Sequence, residues 1–405
     1  MAETQANQIQ GLLAQYEVLL NGVSTNTLTA VTPVELILGE SLLTPGLQTS
    51  LRVHSYMHQL PVKNLDDYKG KGISVHIKRD CLAPFGIPTT MDIAQTMYRI
   101  DNRRPIGHQV EEFVIHACDH TLLRDAEHLV SKSWKCTTPS AVVSEVLSQC
   151  VQPTNMFVES TAPARDYIAE NIHPFQVVAQ QANAALAGGS DPSLLHYMTY
   201  HNLGTHWFYS LYTLTKKAPI AKFTYSEIGA AAGYGNPHSL MTQSFPCDFD
   251  LLSDILNGVD ANGNDINSLM LFNPVFKTFS LLGNQTLGCG LGGGVIKSSL
   301  SNAGSASQQN MCPDYSELWL LKRQARMALL EQDKIAARIV VPWQPQLHAG
   351  EVIRLELWNR EQPTTLNYGS GNYLVVSMTH NLKLGGFSTT TMDCVSTTVG
   401  QGGIL

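Results

Sequence analysis

From Val34 to His120 the chain alternates apolar and polar residues. VELILGE, SLRVHSY, ISVHIKRD, MDIAQTMYRID and QVEEFVIHACDH follow one another, with Pro, Gly and Asn turns between them. A period of two predicts strands, and several strands at close spacing predict a small antiparallel barrel or sandwich. This block, 33–122, reads as a first β-barrel. Ahead of it, QIQGLLAQYEVLL (8–20) carries Ile9, Leu12, Leu13, Tyr16, Leu19 and Leu20 at helical spacing. Residues 1–32 therefore read as an N-terminal helix and a polar linker.

The period changes after Thr121. In TTPSAVVSEVLSQC, Thr138 is placed as N-cap and Pro139 at the first helical position, with Val142, Val143, Val146, Leu147 and Cys150 on one face. HPFQVVAQQANAALAGG predicts a second helix from Pro174, stopped by Gly188-Gly189. The strands HWFYSLYTL and AKFTYSE follow, so 123–228 reads as an α+β domain.

Residues 284–312 are rich in Gly, Ser and Asn and read as a long loop. YSELWLLKRQARMALLEQD then predicts an amphipathic helix with Leu318, Leu321, Ala325, Ala328 and Leu329 inward. Strands return in KIAARIVVPW, in EVIRLELWN and in a Thr-rich hairpin from Tyr368 to Val399 that turns at Gly385-Gly386. The order β, α+β, β predicts a second barrel made of 229–283 and 331–400, interrupted by an insertion and helix at 284–330. Residues 33–122 are expected to superpose on a composite of 247–283 and 336–400.

Composition narrows the function classes. A length of 405 residues suits about two to four domains. With 43% hydrophobic and 15% charged residues the chain is a folded protein. The net charge of −7, with no basic cluster longer than Arg103-Arg104, Lys216-Lys217 or Lys322-Arg323, excludes dense phosphate contact. No apolar stretch approaches the ~20 residues that span a bilayer. MAETQANQIQ lacks the regions of a secretory signal. The eight cysteines, at 81, 118, 136, 150, 247, 289, 312 and 394, form no CxxC pair and read as reduced, mostly buried thiols. The sequence thus reads as a protein made and folded in a cytoplasm.

Candidate chemistry fails on spacing. His116, Cys118 and His120 alternate on HACDH, but at ~3.3 Å per residue the two histidines stand ~13 Å apart, too far to share one zinc. Gly288, Gly290 and Gly293 spell a dinucleotide fingerprint, yet a Ser/Asn-rich loop follows where a helix is required. A phosphate loop would need Gly before Lys297, where Ile296 stands. DANGND (260–265) has Asp265 where a calcium loop needs Gly, and Leu271 where it needs Glu. His196, His201 and His206 sit among aromatics and strands, which suits packing, and there is no GxSxG or HExxH. The sequence assigns no catalytic, cofactor-binding or metal residue, and no cofactor. The expectation is a protein that is not an enzyme.

Three stretches together resemble a known family. QVEEFVIHACDHTLLRDAEHLVSKSWKCTTPSAVVSEVL (109–147) is similar to the junction in baseplate hub proteins of contractile-tailed bacteriophages, where a last barrel strand leads into a VSKS(W/F) segment and a helix. HPFQVVAQQANAAL with HWFYSLYTLTKKAPIAKFTYSE resembles the helix and hairpin of that family's second domain. RQARMALLEQDKIAARIVVPWQPQLHAGEVIRLELWN and SGNYLVVSMTHNLKLGGFSTTTMDCVS resemble its closing barrel. The N-terminal helix and 284–312 have no counterpart there.

The resemblance implies a mainly β fold: two related small antiparallel β-barrels, an intervening α+β domain and an insertion in the second barrel. It implies a homotrimeric ring in the tail baseplate of the virion, adapting a hexameric tail tube to a trimeric central spike. The implied partners are tube or tube-initiator proteins, the spike and baseplate wedge proteins, with DNA only as transiting cargo and no membrane insertion. Its lumen should be polar and not basic. The rivals are the equivalent hub of a tailocin or of a type VI secretion spike, and, in another class, a tail-associated cell-wall-degrading enzyme.

Overall fold

Asn21 and Gly22, both at positive φ, turn the chain between its first two strands, β1 (Ala14–Leu20) and β2 (Val23–Ser24). An Asn-Gly pair is the preferred two-residue hairpin turn because its twist matches the strands. The computed structural model describes residues 14–25, 31–56, 69–79, 89–188, 191–225, 240–245, 268–273, 278–283, 296–300, 337–358, 369–383 and 388–396, with Arg323, Arg326, Met327, Leu330 and Leu366. The helix expected over 8–20 is not found in its described part. Ala14–Leu20 is a strand, paired from Ala14↔Arg79 to Leu20↔Ile73, and Val18 and Leu20 are buried at alternate positions. Pairing and the Asn-Gly turn override the helical spacing.

The next strands fall where alternation predicts them: β3 (Val31–Ser41), β4 (Gln48–Tyr56), β5 (Gly72–Arg79), β6 (Thr89–Gly107) and β7 (Val110–Cys118). Leu36, Leu38, Leu51, Val53, Ile73, Val75, Phe113 and Ile115 form one core from their inward faces. Each such side chain contributes roughly 1.5–3 kcal/mol when removed from water.

The middle of the chain is α+β. It comprises α1 (His120–Glu127), β8 (Val130–Thr137), α2 (Pro139–Val146), β9 (Asn155–Val158), β10 (Thr161–Ala162), β11 (Arg165–Ile172), α3 (Pro174–Asn183), β12 (Leu186–Ala187), β13 (Leu194–Thr199), β14 (Thr205–Ser210), α4 (Leu211–Thr215) and β15 (Ala221–Tyr225). Thr138 and Pro139 open α2 as expected. Two boundaries differ from expectation. The second helix ends at Asn183, and Leu186–Ala187 pairs with β10. HWFYSLYTL divides because the Ser210 hydroxyl accepts from Thr213 N (3.2 Å) and starts α4.

The last part holds β16 (Thr242–Ser244), β17 (Ser268–Asn273), β18 (Thr278–Gly283), β19 (Ile296–Leu300), β20 (Ala337–Pro342), β21 (Val352–Leu357), β22 (Gly371–Lys383) and β23 (Thr389–Val395). β17 and β18, expected in the second barrel, form a separate sheet with β19, which lies where a loop was expected. The Gly288, Gly290 and Gly293 run, DANGND, Gly385-Gly386 and the inward helix positions Leu318, Leu321, Ala325, Ala328 and Leu329 lie outside the described residues.

One sheet path, β16-β20-β23-β22-β3-β4-β7-β6-β5-β1-β2, unites both strand-rich parts, with β21 and β15 branching from β22. The join is β22. Val352–Leu355 of β21 pair with its first residues, and Ser377–Lys383 beyond its bulge pair with Ser41–Glu35 of β3. Leu240 N donates to Thr224 O (3.1 Å) and Met241 N to Val340 O (2.9 Å), which carries the second array round from β20 toward β15. Leu42, Leu195, Tyr197, Val352 and Leu374 form a shared core where the three parts meet.

Candidate functional site

Two features span the join: a charge-paired outer face and a buried carboxylate. The face follows from strand parity. Outward residues line up across strands, as in Arg99–His116–Ser50–Ile37–Asn381–Thr389 and Asp101–Val114–Arg52–Glu35–Lys383. Arginines on these rows stand against carboxylates: Arg52–Glu35 (3.3 Å), Arg99–Asp101 (2.7 Å), Arg104–Glu112 (2.7 Å) and Arg338–Asp393 (2.6 Å). His54 lies 3.2 Å from Glu112 and His116 lies 3.1 Å from Asp101. Burial pushes the Glu112 carboxyl up, but its bonds from His54 and Arg104 outweigh this and hold it below the usual range. Exposed pairs stabilise by about 0–1 kcal/mol, so their main effect is to neutralise the face. Lys383, at the join, has no carboxylate in ion-pair contact among the described residues.

The carboxylate is Glu40, on β3. Its inward position puts it beside Leu36 and Leu38, fully out of water. It accepts from Tyr200 N (2.7 Å), just after β13, and from His348 Nδ1 (3.0 Å) and Ala349 N (2.9 Å), just before β21. One side chain thus holds all three parts of the fold. Burial raises the Glu40 pKa, but the charge and hydrogen bond of His348, the field of His380 and the Tyr200 N–H bring it below its ordinary value. For His348, burial favours the neutral ring, and Glu40 and Glu351 outweigh it, so its pKa is raised. Lys217 Nζ donates to Gly350 O (3.0 Å), and the His201 ring meets His348 edge-on at 5.4 Å.

No protein-family model matches the chain, and neither does any curated protein. Solved structures do. The chain is similar to the tail protein from Neisseria meningitidis MC58, with a TM-score of 0.55 and 10% identity over 97% of this chain and 99% of that one. It is also similar to the 43 kDa tail protein of prophage MuSo2 from Shewanella oneidensis, with a TM-score of 0.55 and 8% identity over 94% of this chain and 98% of that one. The fold is that of these tail proteins. An E. coli component of the type VI secretion system is similar at a TM-score of 0.47 and 9% identity, over 95% of this chain and 77% of that one.

Within this tail-protein fold the residues weighed for chemistry are placed as follows. His116 faces outward between Ser50 and Asp101, Cys118 is buried at the strand end, and His120 begins α1 beside Asp119. Lys297 lies in β19, a strand where a phosphate loop would open a helix. Asp119 accepts from Thr121 N (2.8 Å) and Thr121 Oγ1 (2.5 Å), which leaves the Thr121 oxygen to accept from His206 Nε2 (3.1 Å). His206 Nδ1 in turn accepts from His196 Nε2 (3.0 Å). Burial pushes His206 down to about 4, so these rings are neutral packing groups. Among the described residues no group of three His, Cys, Asp or Glu is placed to hold a metal ion. No helix among them is long and apolar enough to cross a membrane.

Sequence reasoning passed over Glu40 and His348. A signal existed for the first: in VELILGES the alternation puts Glu40 on the face of Leu36 and Leu38. For His348 there was none, because its partner lies 308 positions away.

Proposed function

We propose that the chain is a structural hub of a contractile phage-tail baseplate. In this reading it assembles as a homotrimeric ring that adapts the hexameric tail tube to the trimeric central spike and lets DNA pass. The observation that carries the reading is the repeated strand array. β3-β4-β7-β6-β5 and β16-β20-β23-β22-β21 have one order and join edge to edge, so three chains present six similar arrays. The tail-protein fold supports it, and so does the outer face, whose paired arginines offer a passing polyanion little to hold. Tube or tube-initiator proteins, spike and wedge proteins are the proposed partners, and the virion baseplate is the proposed location.

The role is scaffolding, without catalysis or cofactor. Images of the tail particle test it by symmetry. Three copies around the tail axis are expected, and one, two, five or six would sink the reading. Incubation of the purified chain with peptidoglycan separates the rival class: the glycan and its peptides are expected to stay intact.

A further inference from the structure

Three neighbouring strands set Ser50, His116 and Asp101 side by side on the outer face. Ser50 of β4 and His116 of β7 pair directly in register. Asp101 lies on β6, two positions beyond Arg99, the residue opposite His116. The bulge in β6 between Met97 and Arg99 puts it there. Before the bulge the odd positions Met91, Ile93 and Met97 pack in the core, and after it Ile100 does. Odd-numbered Asp101 therefore turns outward, since a bulge re-aims the side chains that follow it.

The three side chains form one hydrogen-bonded line. His116 Nε2 lies 3.1 Å from Asp101 Oδ1, and a carboxylate only accepts, so the ring proton sits on Nε2. Arg99 holds the other carboxylate oxygen, Oδ2, at 2.7 Å. In this tautomer Nδ1 carries a lone pair, and the Ser50 hydroxyl, 3.0 Å away, donates to it. A hydroxyl bonded to an imidazole whose far side is held by a carboxylate is the arrangement that activates a serine nucleophile. It is recognised by these roles and not by which ring nitrogen serves each. The line is open to solvent, with the His116 and Asp101 side chains 23% and 21% exposed and Ser50 half-buried. Among the described residues nothing supplies an oxyanion hole. Ser50 pairs with Ile37 on one side and His116 on the other, so the ladder takes the backbone N–H groups around it. Arg52 and Arg99, its neighbours on the face, are each turned to a carboxylate.

We propose that Ser50 is an acylation site, whose oxygen takes one acyl group from an activated ester or thioester with His116 as general base. Ser50 Oγ attacks the acyl carbon, and its proton passes to His116 Nδ1. The bond from the acyl carbon to the leaving oxygen or sulfur breaks. The leaving group takes that electron pair and then the proton, and an ester on Ser50 remains. Asp101 acts through His116, as a positioning residue. Aryl oxides and thiolates leave readily, whereas amides and glycosides need charge stabilisation that this face does not offer. Water attack on the Ser50 ester lacks the same help, so each chain is acylated once and does not turn substrate over. Peptidoglycan stays intact, in keeping with the scaffold reading. The inference goes beyond that reading and is independent of copy number, since all three residues belong to one chain.

Full-length protein carrying Cys136→Ser, which removes a competing exposed thiol, is treated with p-nitrophenyl acetate. The release of one nitrophenolate per chain is expected, with the acetyl group mapped to Ser50 by mass spectrometry. Ser50→Ala should abolish this release. His116→Gly should slow it by about 10²–10⁴-fold, and added imidazole should restore part of the rate. Asp101→Asn should slow it while the urea midpoint stays unchanged, and Asp101→Glu should keep part of the rate. An Asp101 that is only structural would move the midpoint and leave the rate alone. Acetyl groups found on lysines or the N-terminus and not on Ser50 would overturn the proposal, whether or not the variants fold. So would labelling of Ser50 in His116→Gly at the parent rate.

Discussion

Glu40 and His348 stand 308 positions apart in sequence and 3.0 Å apart in space, a buried carboxylate against an imidazole. The pair ties the first strand array to the second, and the Tyr200 N–H bond brings in the α+β part. Removing one member of such a pair leaves a buried charge unmatched, at a cost of roughly 3–5 kcal/mol. Glu40→Gln is expected to lower the first unfolding transition in urea by that order. A midpoint within error of the wild type would show that the joint does not hold the parts together.

Stability should fall on both sides of neutrality. The lowered Glu40 pKa contributes stability present above its ordinary 4.5 and lost as pH falls through the folded value. The raised His348 pKa contributes stability present below 6.5 and lost as pH rises through the folded value. His380 and His206, each pushed down to about 4 by burial, refuse protons that the unfolded chain accepts. They therefore lower stability as pH falls from 6.5 to 4. Urea midpoints measured across this range check the sign, and a flat acid limb would contradict it. In Glu40→Gln the alkaline limb should flatten.

Gly350 has φ +84, and a Cβ there would stand 2.6 Å from the Tyr197 hydroxyl. Backbone strain and overpacking act together, each of order 1–3 kcal/mol. Gly350→Ala should lower the thermal midpoint, and adding Tyr197→Phe should restore part of the loss by removing the oxygen. No recovery in the double variant would place the cost in the backbone alone.

The paired outer face makes a prediction about DNA. Glu35→Gln, Glu112→Gln and Asp393→Asn together release Arg52, Arg104 and Arg338. Each released cation adds about −0.9 to the slope of log K against log salt, so the triple variant should gain a slope near −3. The wild type should show little retention of duplex DNA at about 0.15 M salt, where screening acts beyond roughly 8 Å. Equal binding by both proteins in a filter or anisotropy assay would remove the neutralising role of the carboxylates.

Local pattern by itself determined where most strands lie. Alternation in VELILGE, SLRVHSY and QVEEFVIHAC placed β3, β4 and β7, and the Thr-rich segment placed β22 and β23, because a sheet buried on one face imprints a period of two. Pro139 and Pro174 marked two helix starts through their fixed φ and missing N–H. What the pattern could not contain is partnership. Ala14–Leu20 is spaced for a helix and becomes a strand because β5 offers it an edge. β17 and β18 pair with β19 and not with β20–β23, a choice between edges that look alike locally. Ser377–Lys383 carries no mark that its neighbour will be β3, at the far end of the chain. Only the assembled sheet brings Glu40 to His348 and sets each arginine of the outer face against its carboxylate. Those contacts depend on register between distant strands, which no single stretch encodes.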